Sequence, residues 1–160
     1  MGAIGGPDPT LLLCWETSLR RVRQLARGIY EATWDELAAR YGTTDQRQRL
    51  LDRLKRALDS LRSTGCRRAY IDGSFVTAND DPGDFDACWE ARNVDPLLLD
   101  PALMDFADRR RAQKSTLGGE LFPADLPAAA VGVPFLDYFQ LDKNTGATKG
   151  IVAIDLEDLP

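Results

Sequence analysis

The stretch Arg68-Ala-Tyr-Ile-Asp-Gly-Ser-Phe-Val-Thr-Ala-Asn-Asp-Asp-Pro-Gly-Asp-Phe-Asp-Ala-Cys-Trp-Glu90 decides how this chain is read. A short hydrophobic run ends in a Gly-Ser turn, a polar loop follows, and a second run opens with two aspartates two positions apart. Side chains alternate across a strand, so Asp84 and Asp86 are expected on one face and Phe85 on the other. Two carboxylates then converge on one point.

Such a pair is costly to hold together unless a cation neutralises it, and Mg²⁺ favours oxygen ligands from one or two carboxylates together with substrate phosphates. The turn supplies the complementary half. Gly73 lets the backbone approach phosphate oxygens with no Cβ in the way, while backbone N–H groups and the Ser74 hydroxyl can donate to them. Phe75-Val-Thr77 is expected to begin a helical turn whose first amides aim partial positive charge at the same place. A phosphate cradle beside a carboxylate pair points to chemistry on a nucleoside triphosphate. Asp-hydrophobic-Asp alone is weaker, because acids are frequent on the polar faces of edge strands.

With these residues in view, the chain resembles the polymerase-β-like nucleotidyltransferase superfamily, especially its minimal bacterial members. The resemblance rests on a hydrophobic strand, Gly-Ser, a loop of this length and Asp-hydrophobic-Asp. Gly28-Ile-Tyr-Glu-Ala-Thr-Trp-Asp-Glu36, Asp137-Tyr-Phe-Gln-Leu-Asp-Lys143 and Lys149-Gly-Ile-Val152 are similar to a small bacterial branch of it, so the likeness spans roughly residues 28 to 156. It implies an α/β (α+β) fold: a small mixed sheet of the nucleotidyltransferase type with N-terminal helices packed on it. It also implies a third acid on a later strand between hydrophobics, for which Phe135-Leu-Asp-Tyr-Phe139 offers Asp137. Asp84, Asp86 and Asp137 would then hold two Mg²⁺ (or Mn²⁺) ions, and Gly73 and Ser74 the β and γ phosphates of ATP or another nucleoside triphosphate. A nucleoside monophosphate would pass to an acceptor hydroxyl on a protein, an RNA or a small molecule.

Three features depart from that pattern. Thr77 stands where many minimal members place a basic residue, Asp72 adds a negative charge beside the turn, and no second domain offers a surface for nucleobase or acceptor. A partner chain could supply that surface, as in two-component minimal nucleotidyltransferases and toxin–antitoxin pairs. The competing reading is a non-catalytic binding subunit that keeps the fold and binds a nucleotide without turnover.

Composition narrows the classes. A chain of 160 residues, 44% hydrophobic and 28% charged, can bury an ordinary core as one domain. A net charge of -5 argues against general binding to nucleic-acid backbones. Cys14, Cys66 and Cys88 lack metal-ligand spacing and there is no His, so a zinc site is not expected and free thiols in a reducing cytoplasm are. Leu11-Leu-Leu-Cys-Trp15 is too short to span a bilayer, and no membrane association is expected.

In chain order, residues 1–27 read as an extension. Leu12, Trp15, Leu19, Val22 and Ala26 recur at helical spacing, and the face they form is either packed on the domain or a docking surface for a protein partner. Residues 28–160 read as the nucleotidyltransferase-like domain. Gly28 is taken as a helix stop, Thr33-Trp-Asp-Glu36 as a capping box, and Thr43-Thr-Asp-Gln46 as a second box opening a long helix. Leu50, Leu51, Leu54, Leu58 and Leu61 form its apolar stripe; Arg47, Arg49, Lys55, Arg56 and Arg62 its solvated face. Strands are expected over 67–72 and 84–91, and a helix from Asp100 to about Lys114 carrying Arg109, Arg110 and Arg111. A Gly/Pro-punctuated connection is expected over 118–127, and strands over 133–141 and 150–156 as a hairpin. Lys143 and Lys149 flank that hairpin, either as ordinary surface lysines or with one reaching the triphosphate as a point charge.

Overall fold

The computed structural model describes residue 25 and residues 27–128 and 132–160. The expected helix over 11–26 thus lies almost wholly outside the described residues. Leu25, at its end, is buried, and its carbonyl accepts a 3.0 Å hydrogen bond from Gly150 N.

The fold is mixed α+β, built on one five-stranded sheet. Its strands are β1 (Gly28–Ala32), β2 (Arg68–Asp72), β3 (Phe85–Trp89), β4 (Gly119–Pro123) and β5 (Gly150–Asp155), in the spatial order β1-β5-β2-β3-β4. The outer pairs β1·β5 and β3·β4 are parallel, and β2 runs antiparallel to both β5 and β3. One face carries Ala69, Ile71, Phe85, Ala87, Leu121, Val152 and Ile154 against helices α1 (Trp34–Tyr41), α2 (Asp45–Ser63) and α3 (Arg111–Leu117). The other carries Tyr70, Cys88, Phe122, Ile151 and Ala153 under the short helix α4 (Phe135–Phe139). Among the described residues no helix is long and apolar enough to cross a membrane.

Local chemistry accounts for the early elements. Thr33 Oγ1 accepts from Glu36 N at 3.2 Å and Glu36 Oε2 accepts from Thr33 N at 2.8 Å, so the first capping box forms as expected. The second does not. Thr44 is the cap, accepting from Arg47 N at 3.2 Å, and Gln46 Nε2 instead donates to Pro82 O at 3.0 Å. Leu50, Leu51, Leu54, Leu58 and Leu61 are buried as their spacing predicts.

Arg47 does not lie on a solvated face: it is 2% exposed. Its guanidinium donates to Phe75 O at 2.6 Å, to Thr77 O at 2.8 Å and to Asn79 O at 3.0 Å, and it lies 5.5 Å from the Phe75 ring centroid. Thr44 Oγ1 adds a 3.2 Å bond to Asp80 O. The start of α2 thus holds the whole loop between the Gly-Ser turn and β3 by its carbonyls. A five-donor planar fork is the side chain suited to that array.

Four further expectations fail, each for a tertiary reason. Gly28 does not stop a helix but opens β1, in register with Gly150. The connection over 118–127 contains strand β4, because Gly119 permits contact with β3 where a Cβ would collide with the Phe85 carbonyl. The strand expected over 133–141 is helix α4, so the expected hairpin shrinks to one antiparallel bridge, Leu141 with Thr148, and β5 pairs with β1 and β2. Phe135 and Phe139 are one helical turn apart, and both pack on Phe122, with centroids 4.1 and 5.8 Å away. The helix expected from Asp100 is cut in two. Asp100 caps a single 3-10 turn (Pro101–Met104), and α3 starts only at Arg111, after Asp108, Arg109 and Arg110 at φ of 44°, 52° and 60°.

The Arg47 clamp sets an expectation for stability. Arg47→Met leaves several buried carbonyls unsatisfied and should cost about 2–4 kcal/mol in urea unfolding. Arg47→Lys should recover little, because a compact ammonium cannot reach three separate carbonyls as the guanidinium fork does. An effect no larger than that of Arg56→Met, at an exposed position of the same helix, would refute the clamp.

Candidate active site

The register of the sheet places Asp72 of β2 opposite Asp86 of β3, and Asp86 opposite Glu120 of β4. Directly opposed residues share a face, so the three carboxylates form a row across adjacent strands. The row continues the face of Tyr70, Cys88 and Phe122, where the apolar layer under α4 ends. Asp84, just before β3, joins the cluster: it and Glu120 both raise the pKa of Asp86.

Each carboxylate meets this crowding differently. Asp72, 3% exposed, receives Lys149 Nζ on both oxygens, at 2.7 and 2.8 Å. Burial pushes its pKa up while Lys149 pulls it down. The charge that looked unfavourable beside the turn is thus neutralised within the protein. Glu120 has Lys114 Nζ 2.8 Å from Oε1 and Arg110 Nε 2.8 Å from Oε2. Lys114 Nζ also lies 3.5 Å from Asp84 Oδ2. Asp86 has no hydrogen bond or ion pair among the described residues, and its carboxyl is pushed up to about 6 by burial first, then by Glu120 and Asp84. Lys143, exposed on the loop before β5, offsets part of this at longer range and does the same for Asp72.

The Gly-Ser turn abuts Asp86 directly. Gly73 has φ of 81°, and a Cβ there would stand 2.6 Å from Asp86 Oδ2. Glycine is required on both counts. Ser74 opens the single 3-10 turn Ser74–Val76, and its hydroxyl has no hydrogen-bond partner among the described residues.

Of the residues singled out in the sequence, Gly73, Ser74, Asp84, Asp86 and Lys149 come together, with Lys143 at the rim. Asp137 stands apart from the strand expected for it: it is exposed in the first turn of α4, and it does not join Asp84 and Asp86 in a group of three close enough to hold a metal ion. The acid on the strand beside β3 is Glu120, buried on β4. Sequence reasoning passed over it, although Gly119-Glu-Leu-Phe122 sets an acid among small and apolar residues. Lys114, Arg110 and Arg47 were likewise read as helix-surface cations, and nothing in local spacing marks them otherwise.

Among the described residues no group of three or more His, Cys, Asp or Glu side chains lies close enough to hold a metal ion by itself. A hard cation that takes one or two carboxylates and completes its shell from phosphates and water still fits here. The fit rests on Asp86, a partly buried carboxylate whose charge nothing nearby pairs, and on an all-oxygen donor set with Asp84 beside it.

Fold and site together define a mixed α+β domain with a carboxylate row beside a glycine turn. The chain belongs to the family described as "Family of unknown function (DUF6932)", whose model matches residues 20–155. No curated protein and no solved structure matches it.

The Asp86 shift makes stability depend on pH. Its folded pKa, about 6, lies above the ordinary value, so between roughly pH 4 and 6 the folded chain holds a proton that the unfolded chain has lost. Stability contributed by this group is therefore present at low pH and lost as pH rises through that window. With metal chelated, Asp86→Asn should be more stable than the parent by about 1–2 kcal/mol at pH 8, allowing for screening at a partly exposed site, and nearly equal to it at pH 4. A stability difference that does not change with pH contradicts the assignment.

Proposed function

We propose that the protein is a metal-dependent nucleotidyltransferase, moving a nucleoside monophosphate from a nucleoside triphosphate to an acceptor hydroxyl. The observation that carries this reading is the contact of Gly73 with Asp86: a glycine turn able to take phosphate oxygens is seated against an uncompensated carboxylate. The resemblance of Gly-Ser, the loop and Asp-hydrophobic-Asp to the polymerase-β-like superfamily supports the same reading, with a sheet of that type as its scaffold. Glu120 now takes the place that the resemblance offered to Asp137.

In the reaction the acceptor oxygen bonds to the α-phosphorus, the bond from that phosphorus to the α–β bridging oxygen breaks, and pyrophosphate leaves with the electron pair. Asp84 and Asp86 would hold Mg²⁺ or Mn²⁺, which when bound neutralises phosphate charge and makes a hydroxyl easier to ionise. The Ser74 amide and hydroxyl donate to the terminal phosphates beside Gly73, whose own amide serves the Asp72 carboxylate. Lys143 and Lys149 add positive charge on that side, Lys149 while holding Asp72. The acceptor proton passes to a carboxylate of the row, and Asp86 has an oxygen to offer because no side chain occupies it. Catalysis on this account is positioning and charge neutralisation, with no covalent intermediate on the protein.

The second reading, a binding subunit without turnover, draws on one observation: Lys114 and Arg110 already satisfy Glu120. The two readings part in one assay. With labelled nucleoside triphosphates, Mg²⁺ or Mn²⁺ and a lysate as acceptor source, the parent should release pyrophosphate and transfer label. Asp86→Asn should lower release by about a hundredfold or more while remaining folded. Metal-dependent nucleotide binding with no release favours the binding subunit, and release undiminished in Asp86→Asn sinks the catalytic assignment.

A further inference from the structure

We propose that Lys114, seconded by Arg110, takes the place of one of the two divalent cations that the resemblance implies, so that this site binds a single ion, on Asp84 and Asp86. The inference rests on the nucleotidyl-transfer reading and narrows it.

Glu120 is ion-paired on both oxygens, Oε1 with Lys114 Nζ and Oε2 with Arg110 Nε, each at 2.8 Å, although the Arg110 Nε–H makes no hydrogen bond. The Glu120 side chain is 11% exposed, so an incoming ion can bind it only by displacing one of these cations. Lys114 Nζ lies at the same time 3.5 Å from Asp84 Oδ2. One ammonium thus spans two carboxylates. Arg110 is held in place from its other side by the Phe122 ring, whose centroid is 5.4 Å away. Asp72 is equally closed, with Lys149 on both oxygens. Asp86 is the carboxylate of the row that no side chain satisfies, and Asp84 is the one met only at the longer distance.

The division of charge has a chemical consequence. An ammonium neutralises phosphate oxygens as a point charge but offers no open coordination position to an acceptor hydroxyl. Lys114, on the β4 side of Asp86, lies away from the Gly73–Ser74 turn assigned to the terminal phosphates, and the ion that Asp84 and Asp86 would hold is left to serve the acceptor hydroxyl. Lys114 acts as a positioning residue, shaping the site through Glu120 and Asp84.

Counting ions tests this directly. The full chain is titrated with Mn²⁺ alone, and bound metal is measured by electron paramagnetic resonance. The parent and Lys114→Arg should each bind one ion per chain, and Lys114→Gln, which frees Glu120 Oε1 and Asp84 Oδ2, should bind a second. Two ions on the parent overturn the inference, whatever the variant does, and leave the transfer reading standing. One ion on folded Lys114→Gln also overturns it, since Lys114 would then not be what excludes the second. No bound ion together with no pyrophosphate release brings down the transfer reading, and this inference with it.

Discussion

Carboxylates on adjoining strand ends repel, and the residues at this end of the sheet are placed by how that repulsion is met. Asp72, Asp86 and Glu120 stand in register on three neighbouring strands, with Asp84 beside them. Lys149 satisfies the first and Lys114 with Arg110 the last. Asp86, in the middle, is left with a raised affinity for a proton. A protein that needed only stability would have filled that position with an apolar residue or a further cation. The cost is retained where Gly73, having no side chain, lets the Asp86 carboxylate pack against the turn.

The scaffold serves to hold that arrangement still. Arg47, buried under the loop, ties the carbonyls of Phe75, Thr77 and Asn79 to the first turn of α2, and Thr44 and Gln46 tie those of Asp80 and Pro82. The loop has little secondary structure of its own, so these bonds set the distance between the Gly-Ser turn and the start of β3. On the far side, three successive left-handed residues turn Arg110 toward Glu120 before α3 begins. Such backbone is unfavourable for side chains other than glycine and persists only when its surroundings hold it. The stack of Arg110 on Phe122 and its ion pair are the contacts that do so.

Much of this was legible locally. The first capping box, the leucine stripe of α2, the β2 and β3 strands and the pairing of Asp84 with Asp86 follow from spacings of two and four residues. The site was legible only where its parts are neighbours in sequence. Glu120 lies on a strand hidden by its glycine, which reads as a turn until Phe85 is seen packed against it. Asp137 sits between aromatics that fit a strand or a helix equally, and the Phe122 ring decides for the helix. Arg47 and Lys114 fall on helices where arginine and lysine are ordinary surface residues.

By itself, then, the sequence determined the elements with strong periodicity and the glycine-serine turn followed by paired aspartates, because those depend on contacts a few residues apart. Only the tertiary structure decided which strand lies beside β3, which acid completes the row, and which cations stand against it. Register and burial are properties of the assembled sheet, and they set the charge balance around Asp86.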